Sequence, residues 1–584
     1  MSRFPKIISE DKPGKIPRHV DIGIDILMEG LNKCIHESEI SNAKISRDSV
    51  MQRIDKWVLG FETNPEVIAA RQDVVKYALQ HPTLLRVMDH LAVYPDQSTE
   101  KDDNFSKYTG MMRRFETFAE SMIALKAVLV NEEKPDTLTE LLRACEEVEK
   151  RIKDAQAQLN PEFELRVEVE GRFGRGVLLD ILAPERKENC SFVYVLTNKY
   201  NNSVQRGLYK SNFGLFSSRR DSFLEGLDKC IEDTLVQTIR KRPFFKRVYT
   251  VNGVLKYKQL GAKAEGELHF VRDGSKEEGV FFISFGRDHD DTPRSIIELV
   301  RFAHNYQVIN PFEGVISDFE DVVVELKALS AITRFFENLH TKGFPLSFPN
   351  IIQEDSDTDL FIKDMYHPLL AYFSEIRRVV PNKVETTVVQ NVRLITGANN
   401  NGKTFYISGL GLCQALCQAG IPIVAEEARM RVKDKILTHY VRPGDIKANQ
   451  SRFAHECDRV VKLIQEITHD SLVLCDELFT GTAPQDGEIV SNLVLNTLIK
   501  TGATLFFITH YHGLGDTFRD SPYVEQLCCK LDHSQNPSAY TYKLKPGISG
   551  DSDGLIVASE YGVNKNNLEN LLEQKAKRGD FKLR

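Results

Sequence analysis

Gly397-Ala-Asn-Asn-Asn-Gly-Lys-Thr404 sets glycines, a lysine and a hydroxyl at the G-x-x-x-x-G-K-[ST] spacing that cradles a polyphosphate. The backbone N–H groups of Gly397, Ala398, Asn399, Asn400, Asn401 and Gly402, with the start of the next helix, would point at the phosphates. Lys403 would neutralise charge on the β- and γ-phosphates of ATP, and the Thr404 hydroxyl would ligate Mg²⁺. A second apolar run, Leu472-Val-Leu-Cys-Asp-Glu477, ends in two adjacent carboxylates. Asp476 suits the Mg²⁺ shell, and Glu477 suits polarising the attacking water. A third run, Ala503 to Ile508, ends in Thr509-His510, where an imidazole can sense the γ-phosphate or position water. Its position, rather than histidine chemistry, carries that assignment.

Such groups need rigid elements to hold them. Val392 to Thr396 reads as a strand entering the loop, and Phe405 to Ala419 as a helix leaving it, ended by Gly420. From about Ile362 onward, short apolar runs alternate with helical stretches, the pattern of an α/β domain. Upstream the texture differs. From Val20 to Leu159 apolar residues recur at three- and four-residue spacing, as in Asn64 to Gln80, where Asn64 reads as an N-cap before Pro65. Further helices are expected over Phe105 to Val130 and Thr137 to Leu159. After Pro161 alternation replaces that spacing: Leu165 to Val169, a turn at Gly171-Arg-Phe-Gly-Arg-Gly176, then Val177 to Leu182, with further strands at Phe192 to Leu196, Val248 to Val254 and Val280 to Phe285. Helical periodicity returns from Pro293 to His340, and Gly343 to Pro349 reads as a boundary.

The chain has 584 residues, of which 41% are hydrophobic and 27% charged, so it can bury a sizeable core. Its 76 Lys+Arg against 83 Asp+Glu give a formal charge of −7, which excludes a binder whose whole surface is basic. Ten cysteines without a C-x-x-C offer neither a disulfide framework nor a zinc knuckle and suit core packing in a reducing compartment. With no apolar leader at the N-terminus and no run of 18 apolar residues, the expectation is a cytoplasmic protein, nucleoid-associated if bacterial, with no membrane partner.

Beyond the phosphate loop, Asp476-Glu-Leu-Phe-Thr-Gly-Thr482, Asp486-Gly487 and Thr509-His-Tyr511 resemble the D-E-x-x-x-G-T-x-x-x-D-G and T-H-Y elements of the MutS mismatch-repair family. Ser451-Arg-Phe-Ala-His-Glu456 is similar to that family's S-x-F-x-x-E segment, Asp434 to Thr438 to its D-x-I-x-T, and His367-Pro368 to the H-P that opens its ATPase domain. Ser46 to Leu85 and Glu325 to Ile332 resemble the two halves of its core, or lever, domain. Pro546-Gly547, Gly554, Ala558 and Gly562 resemble its C-terminal segment. The resemblance implies a multidomain chain: a long-helix α core with a mixed α/β or β insertion, then a P-loop α/β ATPase domain with a C-terminal helical tail. The expected boundaries are 1–160 and 311–361 for the split core, 161–310 for a divergent clamp-like insertion, 362–545 for the ATPase domain and 546–584 for the dimerisation segment. It further implies an ATP- and Mg²⁺-dependent homodimer in which Ser451 contacts the γ-phosphate held by the partner.

This chain departs from the family in places. The mismatch-reading and connector modules have no room before a core that begins by about residue 20. The loop reads A-N-N-N where the family usually has P-N-M-G, and Val379 stands where an aromatic side chain stacks on adenine. A basic stretch lies in the clamp position, where the family encloses duplex DNA. Between Thr234 and Ala264 there are eight Lys/Arg and no Asp or Glu, with Arg240, Lys241, Arg242, Lys246, Arg247, Lys256 and Lys258 interleaved with Phe244, Phe245, Tyr249 and Tyr257. The expected activity is ATP hydrolysis coupled to binding of duplex, mismatched or branched DNA, with a downstream repair protein as a further partner. Two alternatives stay open: a ribosome- or RNA-directed MutS-like ATPase, and a nucleotide-gated protein scaffold.

Overall fold

The computed structural model describes residues 22–35, 46–92, 104–130, 133–159, 305–397, 401–440, 452–532, 539–548, 558–559 and 561–578. It also describes the backbone of seven strands between 163 and 284. The first part is helical: α1 (Ile24–Lys33), α2 (Arg47–Leu59), α3 (Pro65–Gln80), α4 (Pro82–His90), α5 (Asn104–Leu129) and α6 (Asp136–Gln158). Local signals start two of these helices, the second of them, at Asn64, where the sequence indicated. The Ser46 side chain accepts from the Ser49 N–H at 3.1 Å, and the Asn64 side chain accepts from the Glu66 N–H with Pro65 in the first turn.

In the middle, strands β1 (Phe163–Phe173), β2 (Cys190–Asn198), β3 (Val204–Tyr209), β4 (Arg247–Val251), β5 (Val254–Lys258), β6 (Glu265–Asp273) and β7 (Lys276–Ser284) make an antiparallel sheet in the order β3-β2-β1-β7-β6-β5-β4. One expectation fails here. Gly171 to Phe173 continue β1 instead of turning, because Gly171 pairs with Cys190 on one side and Gly279 on the other. The expected strand Val177 to Leu182 lies outside the described residues. Likewise the run Val248 to Val254 is not one strand but a hairpin, with Val251 pairing Val254.

The 29-residue helix α7 (Glu313–Thr341) then packs against α2, α3, α4 and α5. Phe319 meets Phe118 edge-on at 5.3 Å, and Arg53 bonds Glu325 at 2.8 Å. Arg114 bridges Glu313 and Glu320 at 2.6 and 2.8 Å. Buried Asp89 accepts from Ser330 at 2.6 Å and from Arg334, so this carboxylate is paired where it leaves water.

The remaining elements are β8 (Leu346–Ser347), β9 (Asn350–Ile351), β10 (Thr358–Met365), α8 (Pro368–Phe373), β11 (Asn382–Thr387), β12 (Val392–Gly397), α9 (Lys403–Gln418), β13 (Ile423–Val424), β14 (Glu427–Met430) and β15 (Ile436–His439). They continue with α10 (Arg452–Glu466), β16 (Leu472–Asp476), α11 (Pro484–Ile499), β17 (Thr504–Ile508), α12 (His512–Thr517), β18 (Val524–Asp532), β19 (Ala539–Pro546) and α13 (Lys565–Lys577). A six-stranded sheet runs β15-β16-β17-β12-β18-β19, parallel except for β19. Every residue of β12, β16 and β17 is buried, as the continuous apolar runs of a covered parallel sheet require.

Helix α9 joins this sheet to the N-terminal helices. The Trp57 indole N–H donates to the Ala419 carbonyl at 2.8 Å, and the Gln418 amide donates to the Glu62 carbonyl at 2.7 Å. Gly420, at φ +73°, ends the helix so tightly that a Cβ there would overlap Arg71. One hydrophobic cluster therefore runs from Ile22 through Phe335 to Ile508. No described helix is long and apolar enough to cross a membrane.

Candidate functional site

Strand order decides what meets at the carboxyl edge of this sheet. β17 lies between β12 and β16 and pairs with both: Ile508 opposes Ile395 and Asp476. The loop after Gly397, the carboxylates after Cys475 and the Thr509-His510 turn therefore emerge side by side, at the edge where open α/β sheets bind ligands.

Gly397 has φ +139°, and a Cβ there would come within 2.9 Å of the Cys529 carbonyl oxygen, so no other residue fits. Gly402, at φ +79°, starts α9, which aims that helix's first N–H groups back across the loop. Lys403 is buried, and its ammonium donates to the Gly397 carbonyl at 2.9 Å and lies 3.9 Å from Glu477. Burial lowers its pKa, against the Glu477 carboxylate, which raises it. Thr404 Oγ1 donates to Asp476 Oδ2 at 2.8 Å, so the two Mg²⁺ ligand candidates already touch. Burial pushes the Asp476 carboxyl up to about 6, with the Thr404 bond opposing. Its Oδ1 is buried and has no hydrogen-bond partner among the described residues.

Glu477 takes a positive φ of 47°, which costs an L-residue energy, and its N–H is fixed on the Ile508 carbonyl at 3.1 Å. His510 stands exposed on the rim beside Tyr511, ring centroids 4.2 Å apart. Desolvation lowers its pKa, while the Glu477 carboxylate raises it and Lys403 lowers it. Tyr511 anchors the loop after the carboxylates: its hydroxyl donates to the Phe479 carbonyl at 2.9 Å. A Cβ at Gly487 would overlap that hydroxyl, which accounts for glycine in the D-G pair.

A cavity of about 630 Å³ opens beside the loop, lined among others by His367, Val379, Asn401, Lys403, Thr404, Glu477 and Tyr542. His367 gives the H-P pair a structural role. Its Nδ1 accepts from the Leu369 and Leu370 N–H groups, which caps α8, and Nε2 lies 3.2 Å from Ser408 Oγ. Burial pushes this imidazole down to about 4, which keeps Nδ1 an acceptor.

Sequence reasoning missed Tyr542. Its ring lies over Gly402, where a Cβ would stand 3.0 Å from Cδ1, and it is 44% exposed toward the cavity that Val379 also lines. Its backbone, at φ +53°, is held by Asn382 Nδ2, which donates to the Tyr542 carbonyl at 3.0 Å. The only sequence signal was the aromatic alternation of Tyr540 and Tyr542. The sequence assigned no role to Arg452. It reaches Thr480 Oγ1 at 2.7 Å and Glu456 Oε1 at 3.2 Å.

Of the expected site residues, Gly397, Asn401, Gly402, Lys403, Thr404, Asp476, Glu477 and His510 thus gather at one sheet edge. Ala398, Asn399, Asn400 and Ser451 lie outside the described residues, as do Arg240, Lys241, Arg242 and Lys246. Arg247, Lys256 and Lys258 fall on β4 and β5, whose backbone alone is described. The residues present fit Mg²⁺ and a nucleotide triphosphate. The metal side offers an orphaned buried carboxylate oxygen beside a hydroxyl, and the base side offers an apolar wall with an aromatic ring.

Residues 393–577 match MutS domain V. The chain is similar to the endonuclease MutS2 of Lactobacillus gasseri, at 29% identity over 48% of this chain and 33% of that protein. It is similar to the DNA mismatch repair protein MutS of Lactobacillus acidophilus, at 30% identity over 37% and 25%. A third relative is the MutS protein homolog 4 of Mus musculus, at 29% identity over 42% and 26%. The chain thus spans a quarter to a third of the length of the curated relatives it matches. The strand order, the paired Thr404 and Asp476 and these matches agree: the C-terminal part of the chain, residues 393–577, carries MutS domain V.

Proposed function

We propose that this chain is a dimeric, DNA-binding MutS-type ATPase of the cytoplasm. The contact that carries this reading is Thr404 to Asp476 at 2.8 Å, with Asp476 Oδ1 buried and unbonded among the described residues. A buried acid of that kind costs stability unless a cation completes it. Thr404 and Asp476 would hold Mg²⁺, which when bound neutralises charge on the β- and γ-phosphates. Lys403, after leaving the Gly397 carbonyl, ties the same phosphates. Glu477, fixed at the strand end, orients the attacking water and takes up its proton, with His510 beside it on the γ-phosphate side. Tyr542 and Val379 enclose the base, Tyr542 supplying the aromatic face that Val379 lacks.

Dimerisation is supported by α13, which buries none of its residues and leaves Leu568, Leu571 and Leu572 exposed by 43%, 50% and 46%. A 13-residue helix of this kind is marginal alone and calls for a partner surface. We assign duplex, mismatched or branched DNA to the basic segment from Arg240 to Lys258. Its hairpin β4–β5 is the edge of the seven-stranded sheet, and Arg247 pairs with Lys258 and Tyr249 with Lys256 in register. The domain division drawn from the sequence belongs to the same proposal: a split helical core with its ATPase domain, interrupted by the DNA-binding insertion. A competition among homoduplex, mismatched and branched DNA, structured RNA and ribosomes, with and without ATP, tests the partner. The proposal expects an ATP-sensitive DNA complex that weakens steeply with salt. Preferential binding to RNA or ribosomes would replace DNA in this reading.

A further inference from the structure

We propose that the Asn401 carboxamide is a phosphate ligand in its own right, its Nδ2 donating to a polyphosphate oxygen while its Oδ1 holds the strand that carries Tyr542. This rests on the ATP-binding reading above. It adds a side-chain donor to a loop otherwise read as backbone N–H groups and Lys403. Asn401 ends A-N-N-N where P-N-M-G ends in glycine, so the carboxamide is a feature of this chain's own loop. It is 1% exposed and lines the same cavity as Lys403, Thr404 and Glu477.

The two polar atoms of this side chain differ in what they meet. Oδ1 accepts from the Tyr542 N–H at 3.4 Å, whereas Nδ2 is buried with no hydrogen-bond partner among the described residues. Tyr542 has that N–H to give because it sits where the β18–β19 pairing slips, between the pairs Cys529–Leu544 and Leu531–Tyr540. Its N–H also decides which end of the carboxamide is oxygen, since only the oxygen can accept. The other end is therefore an NH₂ donor. A buried donor without an acceptor costs free energy, and such groups are rare in native proteins.

Place and chemistry identify what completes it. Asn401 directly precedes Gly402 and Lys403, where α9 begins, so the next groups along the chain are donors too: the N–H groups of the first turn and the Lys403 ammonium. A set of adjacent donors, one of them charged, selects an anion that only accepts, and a polyphosphate fits that description. The same side chain serves the other end of the nucleotide. The Tyr542 ring lies over Gly402, and Asn401 holds the backbone of that tyrosine. A phosphate bound to Nδ2 thus steadies the ring on which the base stacks.

The test is binding of ATP and of inorganic tripolyphosphate, each with Mg²⁺, by isothermal titration of the full chain. Tripolyphosphate has the phosphates but no base, so it gives Tyr542 nothing to stack on. Asn401→Ala is expected to weaken both ligands by about 10-fold or more, the value of a hydrogen bond to a charged group. Asn401→Asp has nearly the same size and keeps an acceptor for the Tyr542 N–H, but sets an anionic oxygen where the donor stood. It should weaken both ligands further. Weaker ATP binding with unchanged tripolyphosphate binding in Asn401→Ala overturns the proposal, because Asn401 would then only brace Tyr542. Wild-type affinity for both ligands in either variant also overturns it and leaves the ATP-binding reading intact. So does a wild-type chain that binds ATP but not tripolyphosphate, whose phosphate donors would carry no affinity of their own. A wild-type chain that binds neither overturns the ATP-binding reading as well.

Discussion

Thr404 Oγ1 donates to Asp476 Oδ2, bridging the first turn of α9 and the end of β16, while Asp476 Oδ1 is buried with no partner among the described residues. Burial raises this carboxyl to about 6. An acid whose folded pKa is raised adds stability below its unfolded value and loses it as pH rises through 6, so at pH 7.5 the ionised form is a cost. Asp476→Asn is therefore expected to melt no lower than wild type at pH 7.5 without ligand, and to lose the Mg²⁺-dependent part of the stabilisation by ATP. Thermal melts with ATP and either Mg²⁺ or EDTA measure both. Retained Mg²⁺ dependence would remove Asp476 from the metal shell.

His367 gives the opposite pH sign. It must stay neutral to accept the Leu369 and Leu370 N–H groups, and its pKa is pushed down to about 4 by burial. A histidine with a lowered folded pKa contributes stability above its unfolded value of about 6.5, and that contribution is lost as pH falls toward 4, on the order of 3 kcal/mol in all. His367→Asn can still cap the helix but does not titrate. Its stability should decline less than that of wild type between pH 6.5 and 4, measured by denaturant unfolding. Parallel declines would contradict the assignment.

Gly487→Ala places a methyl group against the Tyr511 hydroxyl and 2.9 Å from the Phe479 carbonyl oxygen. Overpacking of this kind costs about 1–3 kcal/mol and displaces the loop that carries Glu477. Unfolding free energy should fall by that amount, and Tyr511→Phe in the same chain should recover part of it. A neutral single variant would mean the contact is not tight.

Tyr542→Ala should weaken ATP binding by about 1–3 kcal/mol, the value of one base stacked on an aromatic ring, with little change in turnover at saturation. Tyr542→Phe keeps the ring and should bind like wild type. Equal affinity in the alanine variant would leave the base without this wall.

Much of the C-terminal half was legible in the sequence because each of its signals is local. Gly397 and Gly402 mark positive φ, the runs ending at Gly397, Asp476 and Ile508 are buried strands, and Gly420 ends a helix. Tyr542 was not legible. It lies far along the chain from Lys403, and only the antiparallel return of β19 against β18 brings it over Gly402. Arg452 was hidden for a different reason: its partners Thr480 and Gly481 follow another strand, and nothing local couples them. Between residues 163 and 284, alternation located strands but misjudged their ends. Gly171, read as a turn residue, pairs on both sides within β1, and glycine in a strand carries no local mark of which role it takes.

The most direct measurement is ATP turnover and ATP binding by Glu477→Gln. If Glu477 orients the attacking water while Lys403, Thr404 and Asp476 hold Mg²⁺–ATP, the variant binds ATP like wild type and hydrolyses it at least ~100-fold more slowly. Wild-type turnover in Glu477→Gln would contradict the site assembled here.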